Sequence, residues 1–161
     1  ASDRYFYNKP AADVTLGINT TLMYKNWTLA VSGHGSIGNY VYNNVASDNE
    51  MTADLWTNNF GSNRLASASW SNFSQAQYLS DYYVRDGSFF KIDNITLGYT
   101  FPNLAKSAKL DRSLGLNIFA TVQNVCTFTK YDGLDPEVFG GIDNNLYPRP
   151  RTYILGLKFN F

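Results

Sequence analysis

Five stretches of this sequence alternate apolar and polar residues at a period of two, and all five are long. Residues 13–24 set Val14, Leu16, Ile18, Leu22 and Tyr24 against Thr15, Gly17, Asn19 and Thr21. Residues 27–42 set Trp27, Leu29, Val31, Ile37 and Val41 against Thr28, Ser32, His34 and Ser36. Residues 89–101 set Ile95, Leu97, Tyr99 and Phe101 against Asn94, Thr96, Gly98 and Thr100. Residues 114–129 set Leu116, Ile118, Ala120 and Val122 against Asn117, Thr121 and Gln123. Residues 152–161 set Tyr153, Leu155, Leu157, Phe159 and Phe161 against Thr152, Gly156, Lys158 and Asn160. Such a period belongs to strands with one apolar face. Strands in soluble sheets average about 5–6 residues, whereas about 9–11 tilted residues cross a bilayer. The polar faces carry mostly hydroxyls and amides, as a wet lumen does.

The connections constrain the fold further. Lys25 and Asn26 make a two-residue turn, residues 43–88 a long loop, 102–113 a short to medium one, and 130–151 a long one. Alternating short and long connections are those of an up-and-down barrel, with periplasmic turns at one rim and extracellular loops at the other. The first strand then descends, the second rises, and the fifth descends to the periplasm. Five strands do not close a single-chain barrel, because the smallest have about eight. Open edges in lipid cost several kcal/mol per unpaired group, so either several copies assemble or the missing strands belong to the same chain, and the latter is expected. The expected fold is therefore all-β: an antiparallel up-and-down meander forming the last five or so strands of a large transmembrane β-barrel. Residues 1–161 are the C-terminal portion, with a plug domain and earlier strands outside it. Leu16, Leu29, Leu97, Ile118 and Leu157 are expected to face lipid, and Asn19, His34, Thr96, Gln123 and Lys158 the lumen.

Composition agrees with a barrel. Twelve Tyr, 11 Phe and 3 Trp supply interfacial girdles. Lys and Arg number 13 against 13 Asp and Glu, which leaves no basic stripe for nucleic acid. Cys126 is alone, so no internal disulfide forms. No run of 18 apolar residues occurs, but a barrel needs none. No signal peptide precedes Ala1, as expected of a segment whose N-terminal part lies elsewhere.

Several motifs invite sharper readings. Gly33-His34-Gly35-Ser36-Ile37-Gly38 matches G-x-G-x-x-G, but Asn39-Tyr40-Val41-Tyr42 continues as strand where a dinucleotide site needs a helix. The glycines instead let a long strand bend, or let aromatics pack over it. His34, the only histidine, cannot build a His-rich metal site, and no G-x-S-x-G elbow accompanies it. No catalytic residue and no cofactor is assigned; the chain is not read as an enzyme. Asp132, Asp135, Glu137 and Asp143 lack EF-hand spacing and suit turns better than calcium. The first long loop carries Trp56, Phe60, Trp70, Phe73, Tyr78, Tyr82 and Tyr83 among Ser and Asn. These aromatics are platforms for sugars or peptides, or they pack on one another to shape the loop. Trp56, Trp70, Tyr78, Tyr82 and Tyr83 are the candidate substrate or lid contacts. The terminal row Tyr153, Leu155, Leu157, Phe159 and Phe161 looks like the signal read by barrel-assembly machinery, captured by β-augmentation.

Three segments carry a resemblance. Asp86-Gly87-Ser88-Phe89 followed by Asn94-Ile95-Thr96-Leu97-Gly98-Tyr99, then Gln123-Asn124-Val125 leading to Tyr131-Asp132-Gly133-Leu134-Asp135-Pro136-Glu137, then Tyr147-Pro148-Arg149-Pro150-Arg151-Thr152-Tyr153, resemble the C-terminus of SusC/RagA-type TonB-dependent transporters in order and spacing. Cys126 stands where that pattern has Phe, a tolerated exchange. The resemblance implies a barrel of roughly 22 strands in the outer membrane of Bacteroidetes-type bacteria. It also implies an N-terminal plug and TonB box through which the TonB complex acts, a SusD-like surface lipoprotein as lid, and energised uptake of glycans or peptides. The alternatives are another outer-membrane barrel, such as a siderophore receptor, and a soluble all-β carbohydrate-binding module.

Overall fold

A computed structural model describes residues 5–50, 73–75, 77–101 and 115–160. Eight strands and one short helix follow in order: β1 (Val14–Tyr24), β2 (Trp27–Ile37), β3 (Tyr40–Asn43), α1 (Asn44–Asn49), β4 (Val84–Asp86), β5 (Phe89–Phe101), β6 (Gly115–Thr129), β7 (Ile142–Asp143) and β8 (Thr152–Asn160). The long strands form one five-stranded sheet in the order β1-β2-β5-β6-β8. With the loop elements set aside, this is the meander expected from the five alternating runs. The short strands form a second sheet, β4-β3-β7. Contacts divide the chain into two compact units, one built around each sheet.

In the large sheet the two faces separate by chemistry. β6 and β8 run antiparallel, with Ile118 opposite Leu157, Ala120 opposite Leu155 and Val122 opposite Tyr153. The apolar row of one strand therefore meets that of its neighbour, because register preserves the side-chain period of two. Trp27, Leu97, Tyr99, Phe101, Ile118, Ala120 and Leu155 line one apolar groove. Leu16, Leu97 and Leu157 stay 45–59% exposed. Trp27 meets Tyr99 edge-on at 4.8 Å, and Tyr99 meets Phe101 at 4.6 Å. These rings cluster at the end of the Lys25-Asn26 turn, where Lys25 takes a φ of 53°.

Cross-strand hydrogen bonds line the opposite face. Asn94 donates to Ser32 Oγ at 3.0 Å, Thr96 and Thr121 share a bond of 2.8 Å, and Asn117 donates to Thr100 at 2.8 Å. His34 Nδ1 lies 2.7 Å from Asp93 Oδ2. One aromatic joins this polar face. Phe119 packs its ring on Gly156, opposite it in the β6–β8 register, and its Cβ near Gly98.

Residues 27–42, expected as one strand, are two. Gly38 takes a φ of 84°, which ends β2 at Ile37 and redirects the chain into β3 of the other sheet. Period two persists across the break, so the alternation alone conceals it.

Candidate functional site

The two long connections fold together. β3 lies at the centre of the small sheet. It pairs antiparallel with β4 (Val41 opposite Arg85) and parallel with β7 (Tyr42 opposite Ile142, Asn43 opposite Asp143). The segment before β1 joins them: Lys9 accepts from the Tyr40 amide at 3.0 Å, and Pro10 packs on Gly141.

The Asp86-Gly87-Ser88 motif is a built turn. The Ser88 amide donates to Asp86 Oδ1 at 2.8 Å. Hydrogen bonds from Ser88 hold the Asp86 carboxyl below its ordinary range. The Gly87 amide donates to the Asn39 carbonyl at 2.9 Å, and Asn39 Nδ2 donates back to the Gly87 carbonyl at 3.0 Å. A Cβ at Gly87 would stand 2.7 Å from both Asn39 Nδ2 and Val41 Cγ2, so the motif requires glycine there.

A polar core holds the second loop. Tyr131 donates to Asp143 Oδ2 at 2.7 Å, while Asp143 Oδ1 accepts from the Asn145 amide at 2.9 Å. Asp143 is 1% exposed, so both bonds offset its desolvation. Burial first, and then the Asp143 carboxylate, push the Tyr131 phenol up. Gly133 lies against the Tyr131 ring, where a Cβ would collide. Asp135 accepts from the Glu137 amide at 2.9 Å. Asp135 and Asp143 thus each accept a backbone amide two residues on, and no group of three or more metal-ligating side chains assembles among the described residues.

The aromatic candidates separate by burial. Trp56 and Trp70 lie outside the described residues. Tyr78 is 66% exposed and Tyr82 46% exposed. Tyr83 is 2% exposed. Its ring meets Tyr42 at 6.4 Å and Tyr82 at 5.0 Å, and its phenol is pushed up by burial and by the hydrogen bond with Glu50. Tyr83 therefore packs inside the loop, unlike Tyr78 and Tyr82. Tyr42 extends that scaffold: its hydroxyl donates to Ser47 at 2.8 Å and accepts from the Leu79 amide at 2.9 Å.

Tyr82 is framed by Phe73 at 5.3 Å and by the Arg85 guanidinium 5.4 Å above its ring. Arg85 also contacts the Tyr82 carbonyl and reaches Asp132 of the second loop at 3.5 Å. Asn44 donates to Asn144 at 2.7 Å, a second tie between the loops. Sequence reasoning missed Arg85 and Asn44, because their partners lie 47 and 100 residues away. The surface so built offers phenol rings, amides and a guanidinium, which suit stacking and hydrogen bonding.

No family model matches the chain. It is 44% identical over 164 residues, across its whole length, to the TonB-dependent receptor SusC of Bacteroides thetaiotaomicron, of which it covers 16%. Over its whole length the chain is thus similar to a segment of TonB-dependent receptors, the type its three motif segments resemble. It is also 27% identical to the TonB-dependent receptor P3 of Formosa agariphila, over 99% of the chain and 17% of that receptor. The RagAB peptide importer in its closed-closed state has the same fold over 97% of the chain and 18% of the solved chain, with a TM-score of 0.70 at 21% identity. The chain thus spans about a sixth of the length of the curated relatives it matches. SusC and the other TonB-dependent receptors are β-barrels of the outer membrane.

β8 is one edge of the large sheet among the described residues. Tyr153, Leu155, Leu157 and Phe159 of β8 are 52–77% exposed. Phe161 lies outside the described residues.

Proposed function

We propose that this chain is part of a TonB-dependent importer that takes up glycans, or peptides, beneath a SusD-like surface lipoprotein. The 44% identity with SusC across the whole chain carries this reading. The TonB complex acts through the N-terminal region of the full receptor, outside this segment. The paired long loops face the cell surface, and Tyr78, Tyr82, Trp56 and Trp70 contact substrate or lid. In cells that depend on the full-length receptor, alanine at each of these positions should lower uptake of labelled oligosaccharide about three- to tenfold, the worth of one stacked ring. Receptor abundance should stay unchanged. A parallel fall in abundance makes the rings structural. Uptake of an iron chelate in place of oligosaccharide or oligopeptide overturns the substrate class.

The row Tyr153, Leu155, Leu157, Phe159 and Phe161 serves as the strand that barrel-assembly machinery captures. Losing one Phe removes only about 1.5–3 kcal/mol of apolar burial, which a large barrel survives. Deleting Phe161 should therefore leave unassembled receptor in the periplasm, while barrels already formed stay stable. Leu97→Ala removes similar area away from the terminus. An equal loss of assembled barrel in both variants sinks the signal reading.

A further inference from the structure

Arg85 is a side chain in which the two long connections meet. Its backbone is fixed in β4, where it pairs with the buried Val41. From that base the guanidinium makes three different contacts. Nη1 donates to the Tyr82 carbonyl, Cζ lies 5.4 Å above the Tyr82 ring, and Nε points to Asp132 Oδ2 at 3.5 Å. Tyr82 belongs to a single 3-10 turn, Asp81–Tyr83, and its amide donates to Ser80 Oγ at 3.2 Å. The turn holds its backbone but not its half-exposed ring. Among the described residues, Arg85 and the edge-on rings of Phe73 and Tyr83 set where that ring points.

The other end of the contact is anchored as well. Tyr131, next to Asp132, is buried and bonded to Asp143, which pairs with Asn43 of β3. Asp132 therefore offers an exposed carboxylate from a fixed point of the second connection. An exposed pair at this distance adds little to stability. What it supplies is direction. A guanidinium is a planar fork, so partners at Nε and Nη1 together set the tilt of its plane over the ring. A Lys ammonium would carry the charge without the plane. We infer that Arg85 is a positioning residue: it holds the Tyr82 ring in the orientation that substrate meets, and Asp132 makes that hold depend on the second long connection, a role that rests on the substrate contact proposed above for Tyr82. Affinity at the first connection is thereby tied to the placement of the second.

The test uses cells that depend on the full-length receptor, supplied with labelled oligosaccharide and labelled oligopeptide over a range of concentrations. For the probe that the wild type imports, R85Q should raise the half-saturating concentration about two- to fivefold. Maximal rate and receptor abundance should stay unchanged. R85K should behave like R85Q, since charge alone does not orient the ring. D132N, a change at an exposed side chain that leaves folding intact, should raise the half-saturating concentration about twofold. In the Tyr82→Ala background neither R85Q nor D132N should add to the loss, because both act through the ring. Additive losses overturn the proposal and make Arg85 a contact in its own right. A fall in maximal rate and abundance together also overturns it and leaves a structural tie. Wild-type behaviour in D132N overturns the dependence on the second connection. Tyr82→Ala without effect on uptake sinks the substrate contact itself, whereas weakened uptake in Tyr82→Ala beside a silent R85Q sinks the positioning role alone.

Discussion

In the full-length receptor, Leu97→Arg should strip assembled barrel from the outer membrane, while Thr96→Arg should leave most of it in place. The two residues are neighbours in β5 and differ in the face they occupy. Leu97 is 47% exposed and lines the apolar groove with Trp27, Tyr99 and Ile118. A charge on that face near the bilayer midplane costs about 2–4 kcal/mol, roughly 30- to 700-fold in equilibrium. Thr96 shares a hydrogen bond with Thr121 on the polar face, and its loss costs about 0.5–1.5 kcal/mol. Surface-extracted receptor, scored for the folded form by electrophoresis without heating, measures both. Equal losses would reverse the assignment of faces.

Gly33→Ala should be the most damaging single methyl in the sheet. Its Cβ would stand 2.6 Å from the Lys91 carbonyl oxygen and 3.4 Å from Phe90 Cζ. A ring can turn aside, but a backbone oxygen in a paired strand cannot, so β2 and β5 must part. Overpacking of this kind costs about 1–3 kcal/mol. Gly98→Ala is the matched control, because its Cβ would meet nothing closer than 3.6 Å. Urea unfolding of the purified receptor should separate the two variants, and equal midpoints would show that β2 and β5 tolerate a Cβ between them.

The large sheet was legible because the alternation of apolar and polar residues states which side of a strand meets lipid. Ile118, Leu157, Ala120 and Leu155 announce their face in the sequence, and the register brings those faces together. Phe119 breaks the pattern, and only the glycines beside it on neighbouring strands explain where its ring goes. The strand end at Gly38 was hidden, since a positive φ leaves side-chain parity intact on either side. The resemblance marked Asp86-Gly87-Ser88 and the Tyr131–Glu137 segment, but not the small sheet that β3, β4 and β7 form. That sheet depends on two to four residues per strand, too few for any periodic signal. Tyr83 looked like its neighbour Tyr82 for the same reason. Burial there is decided by Tyr42 and Glu50, contacts that no local pattern encodes.

The parallel pairing of Asn43 with Asp143 sets an order of events during folding. These partners are separated by 100 residues, and closing so long a loop from a free coil costs about 4 kcal/mol of chain entropy. Two short strands cannot repay that alone. Once β2, β5 and β6 have zipped side by side, the closure left runs only through the residues between β2 and β3 and between β6 and β7, which are few. The small sheet therefore forms late, as a consequence of strand zippering. A receptor stalled halfway through membrane insertion would carry these loops unstructured and open to proteases, which makes loop protection a clock for barrel completion.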